Sequence, residues 1–428
     1  MFNVKSIGPL KGVLRVPSDK SVSHRALMFG SINKGVVSVK NFLRSEDCLN
    51  TLKAFISLGV DIKDNGEVIV IKGKGKFLDE PFDILDMGNS GTSIRLISGI
   101  LSGQSFYSVL TGDKYLKRRP MDRIAIPLKS MGAQIYGREE GRYPPLTIIG
   151  KPRLSGITYK SPKASAQVKS SVILAGLYTD EPVSVIEPAK SRDHTERMLK
   201  AFGVDVNVKG LEVTLGKNRQ LSGNLEINIP ADISSAAFFM VAAAIVPGSE
   251  IFLKDVILNP TRTGILDVMK DMGVDCEIEN RRFFLGEEVG DILVKYSKNL
   301  RGVTIEGDLI PRLIDEIPVI AVLATQCEGE TLIRDAKELR VKESDRISSI
   351  VFNLKNLGIN VEEFPDGMAI MGKSVINGGK FSSFGDHRIA MSFIIAGLIS
   401  KNETFMDDIK CIETSYPGFL NDLKKLIT

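Results

Sequence analysis

Six segments of the chain share one pattern, in which a few polar or charged residues lead into a run of small and aliphatic ones. They begin at residues 20, 89, 165, 232, 315 and 386 and read KSVSHRALMFGSI, NSGTSIRLISGIL, SAQVKSSVILAGL, DISSAAFFMVAAA, DEIPVIAVLATQ and DHRIAMSFIIAGL. Because each segment is apolar nearly all round, the pattern predicts helices that are buried inside their domain.

A second pattern alternates with the first along the chain. It occurs as FISLGVDI, LKSMGAQI, LKAFGVDV, MKDMGVDC and LKNLGINV. Each copy reads as the end of an amphipathic helix, a glycine suited to the position after the helix, and an extended apolar segment. Alternating stretches such as GEVIVIKG and GLEVTLGK then predict hairpin strands. Together the two patterns predict six copies of a βαβαββ unit.

A chain of 428 residues is too long for one compact core, so six units predict two similar α/β domains of three units each. Each domain would contain buried parallel helices, and two crossover hinges would join the two domains. The last copy ends with GFLNDLKKLIT and lacks its final strands, which FNVKSIG at the N-terminus could replace. We therefore expect a discontinuous domain of residues 1–18 and 229–428, with residues 19–228 inserted.

Composition narrows the possible functions. A net charge of +4 with interleaved acidic and basic residues argues against a nucleic-acid-binding protein. The longest apolar stretch, AAFFMVAAAIV, is too short to span a membrane, and the first residues lack a secretion signal. Four cysteines without a CxxC pair suggest neither a zinc site nor disulfides. We expect a cytoplasmic monomer without metal or cofactor.

The starts of the buried helices carry unusual charges. Unpaired N–H groups give a helix start partial positive charge, yet these starts contain Lys20, Arg25, Arg95, Lys169 and Arg388. If the helix starts of two facing domains line one cleft, that cleft would attract anions. The alternative for any single cation is that water solvates it.

The segment ELRVKESDRISSI extends the same argument. If it is helical, Lys342 and Arg346 lie four residues apart on one face, where a shared anion would offset their repulsion. The alternative is a plain surface helix, neutralised by Glu338, Glu343 and Asp345.

A nucleotide-binding motif occurs at residues 367–374, where GMAIMGKS fits the P-loop expression letter for letter. A P-loop needs a glycine-rich bend after a strand and a helix after its lysine. Here the apolar residues between the glycines read as a hairpin strand, and turn-rich VINGGKFSS follows. We therefore reject a nucleotide site.

Seven blocks in order resemble the 5-enolpyruvylshikimate-3-phosphate synthase (3-phosphoshikimate 1-carboxyvinyltransferase) family along essentially the whole chain. They are DKSVSHRA, GNSGTSIR, RRPMDR, SAQVKSSVILAGL, DISSAAFF, LRVKESDR and DHRIAM. The resemblance implies a two-domain fold of βαβαββ units. It also implies transfer of the carboxyvinyl group of phosphoenolpyruvate to the 5-hydroxyl of shikimate 3-phosphate, a step of aromatic amino acid biosynthesis that releases phosphate.

The resemblance also implies the site residues. For shikimate 3-phosphate they are Lys20, Ser21, Arg25, Ser165, Gln167, Ser191, Asp315 and Lys342. For phosphoenolpyruvate they are Lys20, Gly91, Arg119, Gln167, Arg346 and Arg388. Asp315 matches the proton acceptor, Glu343 and Lys20 are candidates for the proton shuttle, and His387 reads as a positioning group.

The chain departs from the family pattern at a few positions. Thr414 stands where some members have a lysine, Leu96 where many have a proline, and Ala166 where a serine is usual. These departures leave open what replaces the cation at Thr414.

Two other functions fit the sequence less well. The sister family that transfers enolpyruvate to UDP-N-acetylglucosamine has an asparagine beside its first lysine and usually a reactive cysteine in a mobile loop. Here Ser21 follows Lys20, and no cysteine lies between Cys48 and Cys276. A non-catalytic anion-binding or nucleic-acid-binding protein would not need poised carboxylates such as Asp315 and Glu343.

Overall fold

A computed structural model describes residues 1–427, in which strands and helices alternate along the chain. The strands are β1 (Phe2–Val4), β2 (Lys11–Leu14), β3 (Lys34–Lys40), β4 (Asp61–Asp64), β5 (Val68–Lys74), β6 (Leu85–Asp86), β7 (Tyr107–Thr111), β8 (Gln134–Gly137), β9 (Tyr143–Ile149), β10 (Ile157–Lys160), β11 (Val183–Ile186), β12 (Val206–Lys209), β13 (Glu212–Leu215), β14 (Leu225–Asn228), β15 (Glu250–Ile257), β16 (Asp275–Phe284), β17 (Glu287–Lys295), β18 (Thr304–Ile305), β19 (Glu330–Ile333), β20 (Val361–Phe364), β21 (Gly367–Met371), β22 (Gly379–Phe381) and β23 (Thr404–Met406).

The helices are α1 (Lys20–Ile32), α2 (Glu46–Ser57), α3 (Gly91–Ser102), α4 (Asp122–Ser130), α5 (Arg138–Gly141), α6 (Ala166–Ala175), α7 (His194–Ala201), α8 (Ile233–Ile245), α9 (Gly264–Met272), α10 (Ile310–Leu313), α11 (Ile317–Ala324), α12 (Arg346–Asn356), α13 (His387–Gly397) and α14 (Phe419–Leu426). Short 3-10 turns occur at Leu116–Arg118, Gly176–Tyr178, Gly307–Leu309, Lys337–Val341 and Lys410–Thr414. Within residues 1–427, no helix has the length and apolar character needed to cross a membrane.

The strands of residues 1–427 form six sheets of one type. Five have four strands, in the orders β14-β3-β5-β4, β6-β7-β9-β8, β10-β11-β13-β12, β16-β17-β15-β2 and β18-β19-β21-β20, and the sixth is β1-β23-β22. In the second of these sheets β6 and β7 are parallel, while β9 runs antiparallel to both β7 and β8. Because α3 connects β6 to β7 and α4 precedes β8, this is a βαβαββ unit. The predicted α/β fold of repeated βαβαββ units is confirmed.

Three sheets contain a strand from a distant part of the chain. The strand β14 pairs with β3, and β2 pairs with β15, both in parallel. At the N-terminus β1 pairs antiparallel with β23, the last strand of the chain. The N-terminus therefore supplies a strand to the last unit. The predicted C-terminal segment extends to Thr428, which lies outside the described residues.

The chain packs as two compact units. Unit 1 comprises Met1–Pro17, Pro230–Phe284 and 288–427, and unit 2 comprises Ser18–Ile229 and Leu285–Glu287. Compact packing differs from independent folding, so the domain boundaries inferred from the sequence stay a prediction.

The repeated apolar helices form the interior of each unit. All residues of α8, α11 and α13 in unit 1 are buried. In unit 2, α3 and α6 approach so closely that a Cβ on Gly99 would lie 2.2 Å from the carbonyl oxygen of Ser171. Small residues in these helices thus permit backbone contact that a larger side chain would prevent.

The P-loop-like segment is a strand, as the hairpin interpretation required. Strand β21 pairs antiparallel with both β19 and β20, and its residues Gly367–Ile370 are buried. The next helix, α13, begins only at His387. The rejection of a nucleotide site on this motif is therefore supported by the local structure.

Candidate functional site

The starts of α1, α3 and α6 are capped by side chains of the residues that precede them. Asp19 accepts from Val22 N at 2.8 Å, and Ser90 accepts from Ser93 N at 3.1 Å. Ser165 caps α6 in the same way. Each cap accepts a hydrogen bond from one backbone N–H group at the helix start. Fewer N–H groups are therefore left unpaired at these helix starts than the sequence suggested.

A buried hydrogen-bond chain ties α1, α2 and α3 together. His24 Nδ1 lies 2.8 Å from Thr51 Oγ1, which lies 2.6 Å from Ser93 Oγ. Burial lowers the pKa of His24 well below its ordinary value, and the charges of Lys20 and Arg25 lower it further. His24 is therefore neutral, and it acts here as a structural link between helices.

Lys20 stands at the first position of α1 and is held by a carboxylate of α2. Its Nζ is 3.0 Å from Asp47 Oδ2, and the two side chains are 19% and 11% exposed. Asp47 belongs to the first turn of α2, where a negative charge is favourable. The ammonium group is thus fixed at the edge of the buried core while it stays accessible.

Arg119 packs against the start of α3. Its Nη1 donates to Asn89 O at 3.4 Å, and a Cβ on Gly91 would lie 2.7–2.8 Å from the guanidinium atoms. The guanidinium therefore occupies the space that the absence of a side chain at Gly91 leaves open.

Gln167, in the first turn of α6, connects to α3. Its Oε1 accepts from Arg95 Nη1 at 2.5 Å, and its Nε2 donates to Thr92 Oγ1 at 3.0 Å. Arg95 also donates to Pro120 O at 3.0 Å, next to Arg119. Arg95 thus links Gln167 to the backbone of the residue that follows Arg119.

Ser165 and Ser191 come from different segments and meet at one buried carboxylate. Glu187 Oε1 accepts from Ser165 N at 3.2 Å and from the Ser191 hydroxyl. Lys169 Nζ lies 2.7 Å from Glu187 Oε2 and 2.8 Å from Glu196 Oε1. Burial lowers the pKa of Lys169, but these two carboxylates outweigh burial, so the net pKa is raised and the ammonium persists.

Arg25 is buried between α1, α6 and α7. It donates to Thr195 Oγ1 at 2.7 Å, to Ser170 Oγ at 3.0 Å and to Ser21 O at 3.0 Å. Burial lowers the pKa of Arg25 to about 10; the charges of Glu196, Asp19 and Glu287 oppose this shift, and that of Arg192 adds to it. A bound anion would relieve that repulsion between two arginines.

In unit 1, Arg346 is the centre of an ion cluster. Its Nη1 is 3.0 Å from Asp315 Oδ1, its Nη2 is 2.6 Å from Glu343 Oε2, and its Nε is 2.8 Å from Asp386 Oδ2. Lys342 Nζ also reaches Asp315 Oδ1, at 3.2 Å. Burial lowers the pKa of Arg346, but the carboxylates outweigh burial and raise it above its ordinary value.

Arg388 joins the same cluster from α13. Asp386 caps this helix by accepting from Arg388 N at 2.9 Å. The guanidinium donates to Asp315 O at 3.0 Å and lies 3.7 Å from Glu316 Oε1, whose side chain is fully buried. Asp315 is thus contacted by three cationic side chains, two through its carboxylate and one through its carbonyl.

Two sequence-based expectations are wrong. The segment ELRVKESDRISSI is not one helix: a 3-10 turn ends at Val341, Lys342 is extended, and α12 begins at Arg346 after its cap Asp345. Lys342 and Arg346 nevertheless meet, because both bind Asp315. Asp315 itself precedes α11 by two residues, since α11 begins at Ile317 and Glu316 occupies the N-cap position without a side-chain capping bond.

The cations at the helix starts are compensated by the protein itself. Carboxylates lie on Lys20, Lys169 and Arg346, so these cations have partners within the protein, and the binding of anions beside them stays a prediction. Asp47, Glu187 and Asp386 were missed as partners. Of these, only Asp386 had a sequence signal, as a helix cap in DHRIAM.

The predicted residues fall into two groups, one in each unit. Unit 2 holds Lys20, Ser21, Arg25, Gly91, Arg119, Ser165, Gln167 and Ser191, and unit 1 holds Asp315, Lys342, Glu343, Arg346 and Arg388. His387 lies beside this second group, with its Nδ1 3.3 Å from Thr414 Oγ1. Each group combines cations with hydroxyl, amide or carboxylate oxygens, as recognition of a polyanion with hydroxyl groups requires.

Comparison with known proteins agrees with this chemistry. The family model of EPSP synthase (3-phosphoshikimate 1-carboxyvinyltransferase) matches residues 4–423. The 3-phosphoshikimate 1-carboxyvinyltransferase of Citrifermentans bemidjiense is 53% identical over 427 residues, which cover 100% of this chain and 99% of the relative.

Solved structures give the same result. The structure of EPSP synthase from Acinetobacter baumannii matches with a TM-score of 0.88 and 46% identity, covering 100% of this chain and 98% of the other. The enolpyruvyl transferase NikO of Streptomyces tendae shares the fold, with a TM-score of 0.78 at 15% identity over 99% of this chain and 96% of the other. The chain therefore belongs to the EPSP synthase (3-phosphoshikimate 1-carboxyvinyltransferase) family.

Proposed function

We propose that the protein is a 3-phosphoshikimate 1-carboxyvinyltransferase. It transfers the enolpyruvyl group of phosphoenolpyruvate to the 5-hydroxyl of shikimate 3-phosphate and releases phosphate, a step of the shikimate pathway. The observation that carries this conclusion is 53% identity to a curated enzyme of this name over 100% of the chain. The alternative, transfer to UDP-N-acetylglucosamine, is not favoured by any of these comparisons.

The reaction is an addition followed by an elimination. In the addition, the 5-hydroxyl oxygen bonds to C2 of phosphoenolpyruvate, loses its proton to a base, and the methylene carbon gains a proton from an acid. In the elimination, the C2–O bond to phosphate breaks and a proton leaves the methyl group, which restores the double bond. We assign the base to Asp315 and the proton at the methylene carbon to Glu343 or Lys20.

The contacts of Asp315 support this assignment. Lys342 and Arg346 both bind Oδ1, which fixes the carboxylate in orientation. Glu343 lies on Arg346, so the proposed acid and base are linked through one guanidinium. Positioned cations of this kind also stabilise the charge that develops on the departing phosphate.

The substrate-binding assignments remain proposals. We assign shikimate 3-phosphate to Lys20, Ser21, Arg25, Ser165, Gln167, Ser191, Asp315 and Lys342, and phosphoenolpyruvate to Lys20, Gly91, Arg119, Gln167, Arg346 and Arg388. The clustering of Ser165 with Ser191, and of Gly91 with Arg119, supports the two sets.

We also propose the organisation and setting of the enzyme. Its domains are residues 1–18 with 229–428, and residues 19–228. Its partners are the two small anionic substrates, without nucleic acid or membrane, and it acts as a cytoplasmic monomer. The near-balanced net charge of +4 and the four cysteines, which form no disulfide bonds, support this setting.

Phosphate release tests the function directly. Purified protein should release phosphate when shikimate 3-phosphate and phosphoenolpyruvate are supplied together, and neither substrate alone should support release. A coupled phosphate assay measures this rate, with UDP-N-acetylglucosamine as the competing acceptor. Turnover with UDP-N-acetylglucosamine but not with shikimate 3-phosphate would refute the proposal.

The Gly91→Ala variant tests the phosphoenolpyruvate assignment. The new methyl group would lie 2.7–2.8 Å from the guanidinium of Arg119, so that side chain must move. Displacing one charged donor should raise KM for phosphoenolpyruvate about tenfold and leave KM for shikimate 3-phosphate nearly unchanged. Steady-state kinetics with each substrate varied in turn measures both values. Equal increases in the two values would contradict the assignment.

A further inference from the structure

Arg95 is a buried cation in an unfavourable position. It is the fifth residue of α3 and only 3% exposed, so burial disfavours its charge. Its contacts with Gln167 Oε1 and Pro120 O are therefore needed to offset burial.

These contacts fix the direction of the Gln167 amide. A guanidinium has only hydrogen-bond donors, so it can donate to the carbonyl oxygen of an amide but cannot bond to its NH2 group. With Oε1 on Arg95, Nε2 points the other way and donates to Thr92 Oγ1. An amide nitrogen carries two hydrogens, and the Gln167 side chain is partly exposed.

The direction of this amide matters for anions. An NH2 group attracts a phosphate or carboxylate oxygen, whereas a carbonyl oxygen in the same place repels it. We infer that Arg95 is a positioning residue, which acts through Gln167 by holding its NH2 group toward the anionic substrates. This inference rests on the proposed function, in which Gln167 binds both substrates.

Because Arg95 also contacts Pro120, the test must separate its effect on Gln167 from its effect on Arg119. Through Pro120, Arg95 also supports the loop that carries Arg119, and Arg119 is assigned to phosphoenolpyruvate alone. Gln167 is assigned to both substrates. The KM for shikimate 3-phosphate therefore reports on Gln167 without a contribution from Arg119.

The experiment is a double-mutant cycle of Arg95→Met and Gln167→Ala. Arg95→Met should raise KM for shikimate 3-phosphate about tenfold, because the amide then samples both directions. In the Gln167→Ala background the same substitution should leave this KM unchanged, since no amide remains to be oriented. An equal increase in both backgrounds, or no increase in either, would overturn the inference.

Two further variants keep the test decisive. If Arg95→Met does not fold, Arg95→Lys replaces it. Lysine keeps the charge but cannot reach both Gln167 Oε1 and Pro120 O, so KM for shikimate 3-phosphate should rise about threefold when Gln167 is present and stay unchanged in Gln167→Ala. Arg153→Met, at a side chain that is 86% exposed, is the matched control and should behave as the parent. A parent without turnover would refute the proposed function, whereas an active parent with an unaffected Arg95 variant refutes this inference alone.

Discussion

Replacing Arg346 by methionine should abolish measurable turnover and lower the free energy of unfolding by about 3–5 kcal/mol. The guanidinium is 1% exposed and lies within 3.0 Å of Asp315, Glu343 and Asp386. Methionine has a similar volume but no charge, so the loss is electrostatic rather than a packing defect. Urea unfolding and the phosphate-release assay measure the two effects.

The stability loss should depend on pH. Burial raises the pKa of Asp386, but Arg346 outweighs burial and holds the pKa below its ordinary value. The stability this carboxylate contributes is therefore present above its unfolded pKa and is lost only as the pH falls through the lower folded pKa. Without Arg346, burial and the charge of Glu343 should raise the folded pKa above the unfolded one.

The sign of the pH effect then reverses in the variant. A folded state that binds more protons than the unfolded state gains stability as the pH falls. The deficit of Arg346→Met should therefore be smaller at about pH 5 than at about pH 7, while the parent changes little over this interval. Arg281→Met removes a half-exposed partner of Glu288 and should cost only about 0–1 kcal/mol at either pH. A deficit that grows on acidification would contradict the account.

The repeat architecture could be predicted because short sequence patterns determine its elements. An apolar helix, a glycine after an amphipathic helix and an alternating hairpin strand recur across the chain, and each reflects short-range physics. The pairing of β1 with β23 was also within reach, because the last unit visibly lacked strands. The pairing of β2 with β15 and of β14 with β3 was harder to predict from the sequence, since these strands are far apart in the chain.

The partners of the site cations could not be predicted in the same way. Asp47 and Glu187 lie on other elements than Lys20 and Lys169, at separations that match no helical or strand period. A buried cation needs a partner, because an unpaired ion in the interior costs free energy. Burial alone does not determine which carboxylate becomes that partner. The break before Arg346 depends on Asp345, whose side chain caps α12, and a run of charged residues without a glycine or proline gives little sign of such a helix start.

Replacing Lys20 by methionine should lower kcat/KM by about a thousandfold or more, since charged groups aimed at a developing anion carry effects of this size. Lys20 is assigned to both substrates and to proton transfer, so both kcat and KM should change. Lys53→Met, on the exposed face of α2, is the matched control and should keep parental kinetics. Parental activity of Lys20→Met would remove this residue from the site.

The partner of Lys20 allows the two effects to be separated. Asp47 is 11% exposed and neutralised by Lys20 at 3.0 Å, so Lys20→Met leaves a carboxylate that repels anionic substrates. Adding Asp47→Asn removes that repulsion and should recover about tenfold in KM, but it restores neither the ammonium group nor kcat. Recovery of kcat in the double variant would show that Lys20 only neutralises Asp47. Failure to recover KM would show that Asp47 does not face the ligands when Lys20 is absent.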